Sequence, residues 1–168
     1  MRGTAFNYIA KIEGSLGAIF SGSIQNMFAN TFGKCENLTE IPGDLFKGVS
    51  GTANDMFRGT FASCTSLETI PMGLFSGVTG AADSMFENVF SGCTGLQSLP
   101  EDLFASVVYE DASKDVTRLF AAAFIGCTGL TELPANLFSG IKVAGPQMFN
   151  ATFANCSSLK TIYSGLFG

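Results

Sequence analysis

The sequence predicts an α/β repeat solenoid, a stack of about five 29-residue units, each built from a short strand, a turn and a helix. Two observations carry this. An apolar-Phe pair recurs at Met27, Met56, Met85, Leu119 and Met148, at intervals of 29, 29, 34 and 29 residues. A fixed period of that length marks stacked supersecondary units. Within each interval the apolar residues first follow a helical period and then run into an extended segment that ends at proline.

Ala53, Met56, Phe57, Phe61 and Cys64 fall at i, i+3, i+4, i+8 and i+11, one face of a 3.6-residue helix, so a helix of about ten to twelve residues is expected in each unit. The following "TSLETIP" is too short for a second helix. Its Ile70 precedes Pro71, and a residue before proline avoids the α region, so this stretch reads as a short strand. Proline then opens one tight helical turn in "PMGLFSG", which glycine ends. Such a unit cannot bury its own apolar face, and its neighbours must stack on it with equivalent residues in ladders. Fifteen of the 17 Phe occupy repeat positions and are expected as core.

The units are expected at 27–55, 56–84, 85–118 with an insertion, 119–147 and a truncated 148–168. Residues 1–26 read as a degenerate half-repeat or cap, because "LGAIFSG" at 16–22 echoes "MGLFSG" at 72–77. The last unit stops with Leu166 and Phe167 still on the core pattern, which makes them candidates for an end-to-end contact with another copy.

The ordered signature F-x-x-C-x-x-L-x-x-I-P-x-x-L-F at residues 61–75, with close copies at 32–46, 90–104 and 124–138, resembles the BspA-like leucine-rich repeats of bacterial surface proteins. Leu119 in place of Met, Tyr163 in place of Pro and a longer third interval depart from the pattern. The resemblance implies a leucine-rich-repeat solenoid that is not an enzyme. It also implies a position outside the cell or on its surface, and adhesion or protein binding as the role, with a host or cell-surface protein as partner. Some similar arrays belong to phage tails, so the alternative is a structural subunit that assembles with further copies of itself.

Composition narrows the chemistry. The 9 basic residues are scattered and the net charge is −5, which offers no footprint for nucleic acid. No run of 18 apolar residues exists for a membrane span, and no secretory signal peptide is visible. There is no His, hence no usual general base, and no phosphate-binding or nucleophile-elbow motif, so no catalytic residue and no cofactor is expected. The five Cys, one per unit, lack a C-x-x-C pair and are odd in number; they read as buried thiols that fill space, rather than as metal ligands or disulfides. Glu101 and Asp102 suit the start of a helical turn, and Asn54, Asp55 and Asp83 suit helix caps.

Two surfaces remain as candidates for a partner. The insertion "VVYEDASKDVTR" is expected to protrude with Tyr109, Glu110, Asp111, Lys114 and Asp115, either as a contact site or as a tolerated solvated loop. The outward strand positions, Glu40, Glu68, Gln97, Glu132 and Lys160 among them, form a continuous polar face but bring no aromatic or Arg anchor.

Overall fold

The computed structural model describes residues 8–17 and 22–167. The five units stack as expected, with Phe57, Phe61, Cys64, Leu67, Leu74, Phe75 and their equivalents forming one continuous core. The manner of stacking differs from the sequence expectation. Among the described residues the one helical element is a single 3₁₀ turn, Ala112–Lys114, and the stretches expected as helices are chains of linked β-turns.

Residues 53–64 show the pattern. Amides at 56, 58, 60, 62 and 64 each donate to the carbonyl three residues earlier, at 3.1 to 3.3 Å. The amides between them, at 55, 57, 59, 61 and 63, leave the unit altogether. They donate to the carbonyls of Asp83, Met85, Glu87, Val89 and Ser91 in the next unit, at 2.6 to 2.9 Å. The same alternation runs through 24–35, 82–93 and 116–127, and 145–156 repeats its internal turns; we call these five segments turn ladders. An α-helix would keep all these bonds to itself. A turn ladder spends half of them as a sheet does.

The alternation depends on a left-handed residue at every fourth position: Asp55, Gly59 and Ser63 have φ of 57°, 60° and 62°, and Ser84, Asn88 and Gly92 repeat them at 50°, 57° and 70°. The side chains facing inward then recur every four residues, as Met56, Thr60 and Cys64 and as Phe57 and Phe61, all fully buried. Helical and four-residue periods differ by about 10° per residue, so over one short segment the apolar pattern fits both.

Spacing explains why the ladder replaces the helix. Helices pack about 8–10 Å apart. Here equivalent rings stack face to face at 5.4 Å for Phe57 on Phe86 and 5.4 Å for Phe61 on Phe90. The third ring of each unit stacks at a similar distance on the far side of the core, 5.7 Å for Phe46 on Phe75 and 5.8 Å for Phe75 on Phe104. Between these columns the rings meet edge to face, as Phe75 does with Phe86 at 4.9 Å. Because both sides of the core advance by nearly the same step, the stack does not fan open.

Among the described residues the expected strands are reduced to one isolated parallel bridge, Lys11 with Glu40, and two further bridges, Gly22 with Val49 and Tyr109 with Ile141, lie after the Leu-Phe turns instead. The strand side of the array is still stitched between units, by the amide of Gln97 to Glu68 O and that of Thr131 to Gln97 O at 3.4 and 3.3 Å. These bonds run from each unit back to the one before, opposite to the ladder bonds. The turn after Pro42, Pro100 and Pro134 is also a pair of linked turns, as in Leu45 N to Pro42 O and Lys47 N to Asp44 O.

Below the first unit, Ile9, Ile12 and Leu16 pack on the core at positions 29 residues before Leu38, Ile41 and Leu45. Leu16 N donates to Leu45 O at 2.7 Å. Phe20 and its neighbours at 18–21, on which the echo of the repeat rested, lie outside the described residues, as do 1–7.

Candidate functional site

The outward strand residues form two parallel columns along the array: Thr39, Glu68, Gln97, Thr131 and Lys160, and beside them Glu40, Thr69, Ser98, Glu132 and Thr161. All ten are exposed. They stay in line because the flanking inward residues, Leu38 and Ile41 in the first unit and their successors through the fourth, are fixed in the core. Glu40 forms an ion pair with Lys11 at 3.8 Å, and Lys11 also meets Glu13 at 3.3 Å. Both pairs are exposed, where such pairs contribute at most about 1 kcal/mol. At one edge of the columns Ser98, Glu101, Glu132, Pro134 and Tyr163 line a shallow cavity of about 320 Å³. Tyr163 stands where the other units have proline; the sequence showed the substitution but not that the ring becomes a wall.

The insertion is partly anchored rather than wholly projecting. Tyr109 does not protrude as expected: it is 3% exposed, its amide donates to Gly140 O and its carbonyl accepts from Lys142 N. Its hydroxyl accepts from Val116 N at 3.3 Å, closing the loop at its base. The signal was the alternation in "VVY", where Val107 and Tyr109 point inward and Val108 outward. Glu110, Asp111, Lys114 and Asp115 are exposed as expected. Asp111 caps the 3₁₀ turn: one carboxylate oxygen accepts from Ser113 Oγ at 2.6 Å and from Ser113 N at 3.0 Å, and these bonds hold its carboxyl below the ordinary range. Asp115 ends the turn in the left-handed conformation, φ 47°. At its far end the insertion is tied by Asp83, which accepts from Thr117 N at 2.8 Å and Thr117 Oγ1 at 3.2 Å. Glu110, Asp111 and Lys114 line a cavity of about 360 Å³ together with Thr52, Thr79, Gly80 and Ala81.

The other polar residues singled out in the sequence tie units together. Asn54 Oδ1 accepts from Asp83 N, and Asp102 Oδ2 accepts from Gly73 N at 2.9 Å. Asp55 sits at a left-handed ladder position instead of a helix cap. The five cysteines are buried and form no disulfide. Four of them donate their S–H to a Phe carbonyl of the preceding unit at 3.2 Å, as Cys93 does to Phe61. Burial pushes the thiols of Cys64 and Cys127 up to about 12 and that of Cys93 well above its ordinary value. Thiols so placed are poor nucleophiles, because the thiolate is the reactive form. Among the described residues no three metal-ligating side chains come together, and no helix is long and apolar enough to cross a membrane.

At the C-terminal end the core pattern continues onto the surface. Leu166 is buried, whereas Phe167, Ile162 and Tyr163 are about half exposed, and Phe167 stacks on Phe138 at 6.0 Å.

Over 82 to 93% of the chain the fold is similar to leucine-rich-repeat proteins of bacteria. One is a leucine-rich cell surface protein from Faecalibacterium prausnitzii A2-165, at 22% identity and a TM-score of 0.44 over 82% of this chain. Another is a leucine-rich repeat protein from Bacteroides ovatus ATCC 8483, at 23% identity and a TM-score of 0.39 over 82%. A third, from Eubacterium ventriosum ATCC 27560, has 19% identity and a TM-score of 0.38 over 93%. The chain spans 28%, 33% and 40% of the lengths of those three proteins. No family model and no curated protein matches it.

Proposed function

We propose that the chain is a non-catalytic binding module that holds an extended segment of a protein partner along its strand columns, in an extracellular or cell-surface setting. The observation that carries this is the unbroken double column of ten exposed polar side chains, repeated from Thr39 to Thr161 on one flank. An extended chain can follow such a column unit by unit, as partners of solenoids do. Glu40, Glu68 and Glu132 are the three acidic members of the columns, with Glu101 beside them at the cavity rim, and Lys160 reverses the sign at one end. The complementary partner is a basic extended segment. The insertion, with Glu110, Asp111 and Lys114 around its cavity and Asp115 exposed beside them, supplies a second contact on the same partner.

The test uses extended peptides of matched length and opposite charge, titrated onto the purified chain at low and physiological salt. Basic peptides bind, and binding weakens with salt as exposed charges are screened. Glu68→Lys with Glu132→Lys weakens it about tenfold or more, a change of about 1.4 kcal/mol. Equal binding of acidic and basic peptides, or no response to the double variant, removes this reading.

A further inference from the structure

The cavity of about 320 Å³ at the edge of the strand columns is lined by three successive units: Leu99 and Glu101 from the third, Glu132, Leu133 and Pro134 from the fourth, and Tyr163 from the fifth. Glu101 and Glu132 bring two exposed carboxylates, and none of the lining residues is basic. Leu99 and Leu133, both buried, add apolar surface that is fixed in the core. Tyr163 supplies the one aromatic ring, at a position where the other four units carry Pro42, Pro71, Pro100 and Pro134. Its place is set by the turn that follows, where its carbonyl accepts from Leu166 N at 3.1 Å and Leu166 is buried. Pro134 is held by the equivalent bond, from Leu137 N at 3.3 Å, so proline and ring are presented by matching turns one unit apart.

This combination selects among ligands. An anion would meet two carboxylates and no cation. A neutral apolar group would strip water from both carboxylates and pair neither. An ammonium is a compact, strongly hydrated charge, whereas a guanidinium is planar and more weakly hydrated, stacks on an aromatic face and donates to two carboxylates at once. The methylene stem behind it suits apolar surface.

We infer that this cavity takes a guanidinium, that of an arginine in the partner, stacked on Tyr163 and paired with Glu101 and Glu132. The inference rests on the strand-column reading for the extended chain that delivers the arginine, and it fixes where that chain sits. On this side of the core the second, third and fourth units follow one another at 5.8 and 5.9 Å, measured from Phe75 to Phe104 to Phe138. Glu68 therefore lies two steps before Glu132 along the array, about 12 Å, the reach of three to four residues of extended chain. An arginine in the cavity brings a residue three or four positions away over Glu68, and a basic residue suits that place.

The test applies two probes to the full chain. The first is N-acetylarginine amide, followed by the amide NMR signals; being a single residue, it reports on the cavity apart from the columns. The signals of Glu101, Glu132 and Tyr163 shift together and saturate. The citrulline equivalent, of the same shape without the charge, leaves them in place, and the lysine equivalent binds about threefold more weakly. Tyr163→Phe keeps the response. Tyr163→Pro, which installs the residue of the other four units, weakens it about threefold, and Glu101→Gln with Glu132→Gln abolishes it. Urea unfolding of each variant separates lost binding from lost folding. The second probe is an extended peptide of about nine residues with Lys and Arg either three positions apart or adjacent. The wider spacing binds about threefold more tightly, and Glu68→Lys erases that difference while leaving the response to N-acetylarginine amide unchanged.

Equal binding of citrulline and arginine, shifts that fall outside the cavity, or indifference to both Tyr163→Pro and the double Gln variant overturns the inference, even where basic peptides still bind along the columns. A cavity that takes N-acetylarginine amide while the peptides bind no more tightly than that single residue overturns the column reading and keeps the guanidinium site.

Discussion

Replacing Gly126 by Ala separates the turn ladder from a helix by sign. In a helix interior this change stabilises by about 1 kcal/mol, because alanine is the better helix former. In the structure Gly126 has φ +73°, a conformation L residues enter at a cost of about 1–2 kcal/mol. Alanine recovers about 0.5–1 kcal/mol by restricting the unfolded chain, which leaves a net loss of about 1 kcal/mol. Steric crowding does not confuse the result, since a Cβ at 126 would meet its nearest neighbours, Gly92 Cα and N, at 3.8 and 3.9 Å, ordinary contact. The reciprocal change is available one ladder step earlier. Ala122 has φ +54°, and Ala122→Gly is expected to stabilise by several tenths of a kcal/mol where a helix would lose about 1 kcal/mol. Urea unfolding at equal m-value is the assay, because a shift of midpoint then reports stability alone. If Gly126→Ala raises the midpoint and Ala122→Gly lowers it, the segment is helical and the ladder is wrong.

Other perturbations probe the core, the insertion and the thiols. Phe86→Ala empties a site ringed by Phe57, Phe75, Phe104 and Phe120 at 4.9 to 5.7 Å and costs about 3–5 kcal/mol in urea unfolding; Phe167→Ala, half exposed, costs much less. Asp83→Ala removes both bonds to Thr117 and costs about 1.5–3 kcal/mol, with faster amide exchange at Thr117 as the local signature. Cys64, Cys93 and Cys127 resist maleimide at neutral pH until urea unfolds the chain. Their folded pKa values are raised above the ordinary 9.0, so their stabilising effect is complete below that value and is lost as pH rises from about 9 toward 12. Each thiol lowers the stability by about 1.4 kcal/mol per pH unit across that window, which alkaline unfolding titrations measure against Cys→Ala variants.

The stack, its register and its core were readable from the spacing of Phe28, Phe32, Cys35, Leu38 and Phe46 and their successors, because each must meet its equivalent in the next unit. The helix was misread because Met56, Phe57, Phe61 and Cys64 satisfy two periods at once. The discriminating signal lay on the outer face. In the first three ladders every fourth residue except Lys34 is Asn, Asp, Ser or Gly, the types that tolerate positive φ. The fourth and fifth ladders blur that signal with Arg118, Ala122, Gln147 and Ala151. Of the candidate contact residues, the strand columns and Glu110, Asp111, Lys114 and Asp115 are exposed as the alternation implied. Tyr109 went astray because a run of charges overshadowed the two inward steps that lead to it.

In the first four ladders about half of the backbone bonds reach 28 or 33 residues along the chain, and this bears on how the protein is made. A single unit emerging from the ribosome cannot close its own hydrogen bonds, so it has little reason to settle before the next one follows. About two repeats, roughly 60 residues, must be synthesised before the first ladder has a template, and each later unit then docks on a finished edge. The growing end stays adhesive throughout synthesis, with unsatisfied amides and bare phenylalanine rings. Crowded nascent chains of this design need either rapid elongation or a chaperone at that edge, or they will template one another before they template themselves.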